Sequence, residues 1–288
     1  MTKAKPFIKW VGGKSQLIEQ LDAQLPADFG NWENVTYIEP FVGGGAMLFY
    51  MLQRYPNIQH AIINDINPDL ATCYRTVRDN PEQLIESLMD IENAYLALET
   101  EEGRKDFFMA ARDRYNEKNL DPIENTTKFF FFYRTCFNGL YRVNKKGLFN
   151  VPFGKYSNPT ICDPETIRKD SELLQRVEIL NGDFESTFEH AHGNSLFYFD
   201  PPYRPLSDTS SFNDYAKEAF NDDVQVRLKE YCDRINEAGF HFMLSNSDCK
   251  GKNEEDNFFD VLYGAYHRTR IFEQNGTPNI LCRNYNIN

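Results

Sequence analysis

Residues 35–65 restrict the fold more than any other stretch. Val35–Ile38 is a short apolar run that reads as a strand. Gly43-Gly44-Gly45 is a turn, Ala46–Arg54 has the spacing of a helix, and Ala61–Ile63 is a second strand closed by Asn64-Asp65. Strand, glycine turn, helix, strand and acid form the local pattern of a doubly wound α/β sheet that takes a nucleoside at its carboxyl edge. Asp65 falls 20 residues beyond Gly45, at the end of the next strand. A carboxylate there can accept hydrogen bonds from both hydroxyls of a ribose. Strand patterns return at 177–180, 196–199, 240–244, 267–272 and 279–283, with a helical pattern at 222–238. Between these lies a different region. Residues 68–134 are mostly helical in pattern, including 81–91 and 101–116, and 137–160 is rich in Gly, Asn, Pro and basic residues. Asn-Gly and Lys-Gly there suggest a hairpin or paired loops. The expected organisation is an α/β domain from 1–67 and 165–288, with 68–164 inserted. The run Phe129–Phe132 reads as helix core.

The stretch 195–203, S-L-F-Y-F-D-P-P-Y, raises a chemical question. Its apolar part is a buried strand that stops at Asp200 and two prolines, which have no N–H to donate to a sheet. An aromatic exocyclic amine is a poor nucleophile because its lone pair is delocalised into the ring. Two acceptors on its N–H bonds draw it towards a tetrahedral shape. The Asp200 carboxylate can be one and the Pro201 carbonyl the other, with Pro201 and Pro202 limiting backbone flexing. Tyr203 offers a face on which a base can stack. On these residues alone, a proline-stopped strand with an Asp turn remains the alternative.

Charge points the same way once its distribution is considered. The net charge is −12, which argues against a nucleic-acid partner. Between Asn125 and Cys162, however, there is no Asp or Glu, and Lys128, Arg134, Arg142, Lys145, Lys146 and Lys155 give +6. One basic segment in an acidic protein suits a localised phosphate footprint, or else a solvated loop. Six separated cysteines without C-x-x-C fit reduced thiols, and no His or Cys spacing suits a metal. His190 and His192 read as solvated loop residues. No apolar run reaches the roughly 18 residues of a membrane span. The start, M-T-K-A-K-P, lacks the apolar segment of a secretion signal. A cytoplasmic protein is expected. The sequence K-W-V-G-G-K-S invites a P-loop reading, but the required glycine is absent, since position 8 is Ile.

Taken together the motifs resemble the Dam family of DNA adenine-N6 methyltransferases. K-W-V-G-G-K, E-P-F-V-G-G-G, N-D-I-N, the block from R-T-C-F-N-G-L-Y-R to F-G-K-Y, G-D-F and D-P-P-Y-R-P-L-S-D-T-S-S-F-N-D-Y occur in the family's order along nearly the whole chain. The resemblance implies S-adenosylmethionine as cofactor. It implies a Rossmann-like mixed sheet with a reversed last strand and a helical target-recognition insertion. By position, Trp10, Lys14, Phe41, Gly43, Gly45, Asp65 and Asp200 would contact the cofactor, and Asp183 and Phe184 would lie along its adenine. Arg142 would read a guanine, whose two major-groove acceptors suit a guanidinium. Leu140 and Pro152 would meet a thymine methyl, and Lys9 and Tyr156 the first base pair. Phe137, where the family usually has tyrosine, and Asn138 would enter the stack beside a flipped base. Arg134, Asn144, Lys145 and Lys146 complete the expected DNA surface. The expected recognition site is GATC in double-stranded DNA, with the enzyme acting as a monomer, with or without a companion restriction endonuclease. Cytosine-N4 methylation is the alternative chemistry, but it more often goes with Ser at position 200. An inactive DNA-binding relative is the alternative outside catalysis. Asn275-Gly276-Thr277 and 280–284 resemble the family's last turn and strand, but the residues before them differ.

Overall fold

The computed structural model describes residues 3–8, 16–204, 220–251 and 253–287. In chain order the regular elements begin with α1 (Ile18–Asp22), β1 (Val35–Glu39), α2 (Ala46–Arg54), β2 (Ile58–Asp65) and α3 (Pro68–Asp79). Next come α4 (Pro81–Leu96), α5 (Glu101–Asn116), α6 (Pro122–Thr135), α7 (Pro164–Leu174), β3 (Val177–Asn181) and β4 (Ser195–Phe199). The last are α8 (Asp222–Glu237), β5 (His241–Ser247), α9 (Phe258–Leu262), β6 (His267–Phe272) and β7 (Pro278–Arg283).

The seven strands form one sheet in the order β3-β2-β1-β4-β5-β7-β6. β1 runs parallel to β2 and β4, and β4 parallel to β5. β7 is antiparallel to both β5 and β6. The expected mixed α/β sheet with a reversed last strand is therefore present. β1 and β4 are buried along their whole length, as an unalternating apolar strand with both faces covered should be. Strand ends differ from the sequence reading by only a few residues.

By compactness the chain forms two units. The first comprises Met1–Gly13, Gly43–Phe49 and Asn67–Asn181; the second comprises Lys14–Val42, Tyr50–Ile66 and Gly182–Asn288. The first thus holds the 68–164 segment together with α7, β3 and the glycine turn. Its helices α3, α5 and α6 start on side-chain caps. Asn67 accepts from the N–H groups of Asp69 and Leu70, Thr100 from Gly103, and Asp121 from Ile123 and Glu124. Prolines at Pro68 and Pro122 occupy the first turn, where a missing N–H costs nothing. α6 is the hub, packing on α3, α4 and α5. Phe129–Phe132 are all buried in it, as the sequence suggested. Fully burying one such ring is worth roughly 1.5–3 kcal/mol, so a helix with a run of buried Phe belongs at this centre.

All six cysteines are buried free thiols. No helix among the described residues is long and apolar enough to cross a membrane.

Candidate functional site

In the second unit the parallel strands β1, β2, β4 and β5 deliver their carboxyl ends to one edge. Glu39 ends β1, Asp65 ends β2, Asp200 follows β4 and Asp248 follows β5. Glu39 is 2% exposed and accepts a hydrogen bond from the Tyr37 hydroxyl at 2.6 Å. Burial, and secondarily the nearby Asp200 charge, push its carboxyl up to about 8, against the opposing pull of the Tyr37 bond. Asp65 is half-buried, and its carbonyl accepts from the Gly182 N–H at 3.3 Å. Ile66, immediately after it, is 77% exposed, an apolar side chain left in water beside a carboxylate. The loops here are stitched by Asn64, whose side-chain amide donates to the carbonyls of Pro40 (3.1 Å) and Gly182 (3.0 Å).

The D-P-P-Y segment is held from behind. Pro201 is buried, and the Pro202 carbonyl accepts from the buried Gln225 amide at 3.4 Å. Gln225 in turn accepts from Asn246 at 3.2 Å. The Pro202 carbonyl is thus engaged by Gln225, and the Pro201 carbonyl is the acceptor that the sequence pairs with Asp200. Tyr203 is half-buried, and its hydroxyl donates to Asn279 Oδ1 at 3.2 Å. Arg204, next in the chain, grips Asp222 with two N–H groups at 2.8 and 3.1 Å and Asp256 with a third at 2.7 Å. Its guanidinium also lies 4.4 Å from the Phe258 ring centre.

An aromatic cluster adjoins this edge. Phe41 packs on Phe184 (5.3 Å between ring centres), Phe199 (6.4 Å) and Phe220 (5.6 Å). Phe184 is buried, with the Arg227 guanidinium 4.4 Å from its ring centre. Asp183 caps the turn that follows, accepting from the Glu185 N–H at 3.0 Å, and pairs with Arg227.

In the first unit the glycine turn is shaped by Tyr74. Gly43 and Gly45 have φ of 49° and 72°, a region that favours glycine. The buried Tyr74 hydroxyl donates to the Gly43 carbonyl at 3.0 Å. A Cβ on Gly45 would stand 2.5 Å from that hydroxyl oxygen.

The expected DNA-reading residues converge in the same unit. Cys136 bridges to Phe153, and Val143 to Phe149, so 136–153 forms paired loops rather than a regular hairpin. The Phe137 N–H donates to the Pro152 carbonyl at 2.8 Å, which brings those two residues together. Asn138 (φ 55°) and Gly139 (φ 61°) make a left-handed pair at the loop tip. Phe137 is 52% and Tyr156 43% exposed. Arg134, Asn138, Arg142, Lys145, Lys146 and Pro152 are exposed and Leu140 half-buried. Arg142 donates through Nε to Asn150 Oδ1 at 2.9 Å. Asn144 spends its side-chain oxygen on the N–H groups of Lys146 and Leu148, so it shapes the turn. Lys128 pairs with Glu124 and Lys155 with Glu101, which makes the basic window less free than its sequence implied. Lys9, Trp10 and Lys14, and the S-S-F-N-D-Y tail, lie outside the described residues.

Sequence reasoning passed over Glu39, Asn64, Tyr74, Arg204 and Gln225. Glu39 and Tyr37 had a visible signal, since alternate strand residues share a face. The others are joined to distant partners that no local pattern reveals.

A mixed sheet with its last strand reversed, and acids at the carboxyl ends of β1, β2 and β4, is consistent with a Rossmann-like methyltransferase. A model of the D12 class N6 adenine-specific DNA methyltransferases matches residues 10–275. The type II methyltransferase M.MjaIII of Methanocaldococcus jannaschii is 44% identical over 93% of this chain and 91% of its own length. The type II methyltransferase M1.LlaDCHI of Lactococcus lactis is 40% identical over 84% and 81%. The DNA adenine methylase of Vibrio cholerae is 34% identical over 86% and 83%. The chain belongs to the D12 class N6 adenine-specific DNA methyltransferase family. The resemblance to adenine rather than cytosine methyltransferases is thereby borne out, and DNA is its substrate.

Proposed function

We propose that this enzyme methylates the N6 amine of an adenine flipped from double-stranded DNA, in the sequence GATC, with S-adenosylmethionine as donor. The observation that carries the reading is D-P-P-Y at the end of β4, with its Pro202 carbonyl tied inward by Gln225 and its arginine tail locked by Asp222 and Asp256. The residues fit the donor. Asp65 supplies a carboxylate for a ribose, Ile66 an apolar face for a purine, and Gly43–Gly45 a turn with no side chain to obstruct approach. S-adenosylmethionine supplies an electrophilic methyl group on a positively charged sulfur.

The protein's part is binding and positioning. Asp200 and the Pro201 carbonyl accept the two amine hydrogens and hold the nitrogen lone pair out of conjugation. Tyr203 stacks on the flipped base. Transfer would break the methyl–sulfur bond as the nitrogen–carbon bond forms, leaving a neutral thioether, and Asp200 lies on the side to which the nitrogen would shed its proton. Trp10, Lys14, Phe41, Asp183 and Phe184 complete the cofactor site. Residues 68–164 serve as the target-recognition domain, and the enzyme works as a monomer in the cytoplasm. In that domain Arg142 reads a guanine, Leu140 and Pro152 meet a thymine methyl, and Phe137 and Asn138 fill the gap left by the flipped adenine. Lys9 and Tyr156 read the first base pair. The type II names of two relatives favour a companion endonuclease sharing the site. Mapping modified bases in DNA from cells expressing the chain tests the reading. N6-methyladenine in GATC is the expected outcome, and modified adenine elsewhere with GATC bare would overturn the recognition claim.

A further inference from the structure

Tyr141 stands between Leu140 and Arg142, yet its own side chain is turned inward. Its ring lies 5.0 Å from Phe129 and 5.9 Å from Phe149 between centres, and parallel to Tyr133 at 6.4 Å. Its hydroxyl donates to Asp69 Oδ2 at 2.8 Å. Asp69 sits in the first turn of α3, with a side chain only 14% exposed. The same oxygen takes the Lys118 ammonium at 3.2 Å, and Oδ1 accepts from the Asn125 amide at 3.2 Å. One carboxylate therefore ties together the start of α3, the chain after α5, the first turn of α6 and the loop at Tyr141. Burial alone would raise its pKa. The Lys118 charge and the hydrogen bonds outweigh that and hold the carboxyl below its ordinary value, so it is an anion throughout the physiological range.

We propose that Asp69 is a specificity-determining positioning residue, which seats Tyr141 and thereby fixes the backbone from which Leu140 and Arg142 meet base edges. This rests on the DNA-reading role given to that loop above. The reasoning turns on how steeply each contact depends on distance. A bidentate arginine–guanine contact needs both hydrogen bonds near 3 Å and in plane, and it weakens steeply when misaligned. A lysine–phosphate attraction falls only gradually with separation. Loosening the seat should therefore erode discrimination between bases while leaving general affinity for DNA intact.

The test uses Tyr141→Phe, which keeps the packed ring and removes only the hydroxyl, together with Asp69→Asn and Asp69→Ala. Methylation rates are measured on GATC and on duplexes altered at one base, and binding to an unrelated duplex is measured across salt. Tyr141→Phe and Asp69→Ala should each lower the ratio of cognate to near-cognate kcat/KM by about tenfold, within the range of one weakened bidentate contact. Asp69→Asn, which retains an acceptor, should recover part of that ratio. The salt slope on unrelated DNA should not change. A full ratio in Tyr141→Phe, with only thermal stability reduced, would overturn the proposal in favour of a purely structural knot. A uniform loss on every duplex would overturn it too. Arg142→Ala separates the two levels. If it also leaves the ratio unchanged, the reading of the loop itself has failed; if it lowers the ratio while Tyr141→Phe does not, only the role of Asp69 has.

Discussion

Gly45→Ala is the sharpest perturbation of the glycine turn. Two effects add. Alanine at a φ of 72° costs roughly 1–2 kcal/mol, because its Cβ crowds the following carbonyl. The new Cβ would also lie 2.5 Å from the Tyr74 hydroxyl oxygen, so the tyrosine must move. Moving it breaks its 3.0 Å bond to the Gly43 carbonyl, a loss of about 1 kcal/mol. The single variant should lose about 2–3 kcal/mol of stability. Tyr74→Phe alone should lose about 1 kcal/mol, the same hydrogen bond. In Gly45→Ala/Tyr74→Phe there is no hydroxyl to collide with, and the bond is lost only once. The double variant should therefore resemble Gly45→Ala and fall short of the sum by about 1 kcal/mol. Urea denaturation followed by circular dichroism measures all three. Strict additivity would refute the account, since it would mean that the Tyr74 hydroxyl is not what excludes a side chain at position 45. Calorimetry on the same variants should show weakened S-adenosylmethionine binding in Gly45→Ala.

Asp200→Ala should abolish turnover and leave folding intact, and Tyr203→Phe, which keeps the stacking face and loses only the bond to Asn279, should retain far more activity than Tyr203→Ala; steady-state rates check both, and equal damage from the two tyrosine changes would count against stacking. Glu39 is held neutral in the fold until about pH 8, whereas the unfolded chain ionises it near 4.5. Its contribution to stability is thus complete below about 4.5 and is lost as pH rises towards 8, with a slope of at most about 1.4 kcal/mol per pH unit, and Glu39→Gln should flatten that fall in denaturation curves taken from pH 5 to 8.5. Asp170, buried and also pushed up to about 8 by desolvation, should behave likewise in Asp170→Asn. Replacing Lys146, an exposed cation of the reading loop, should weaken binding on all sequences and lower the salt slope by about one unit, by fluorescence anisotropy.

What could be read directly was local. Apolar runs of strand length, prolines and glycines as punctuation, and helical spacing set most element boundaries to within a few residues. The Phe129–Phe132 helix and the 46–54 and 101–116 helices came from the same kind of signal. The reversal of β7 has no local signature and followed only from the family resemblance, and its position between β5 and β6 was not legible at all. The supports of the site were hidden for the same reason. Tyr141 reaches Asp69 across 72 residues, Asn246 reaches Gln225 across 21, and Arg204 reaches Asp256 across 52. Such pairs are set by tertiary packing, which a single sequence does not encode in any window. Charge misled in one respect. Lys128 and Lys155 looked unopposed because their partners Glu124 and Glu101 lie outside the acid-free window.

The central claim is transfer of a methyl group to the N6 amine of adenine in GATC. Purified protein, S-adenosylmethionine carrying an isotope-labelled methyl group, and duplexes with and without GATC test it most directly, with the digested nucleosides identified by mass spectrometry. The account predicts labelled N6-methyldeoxyadenosine from the GATC duplex, almost none from the duplex lacking it, and none from either with Asp200→Ala. Label on cytosine, or equal label on adenine from both duplexes, would contradict it.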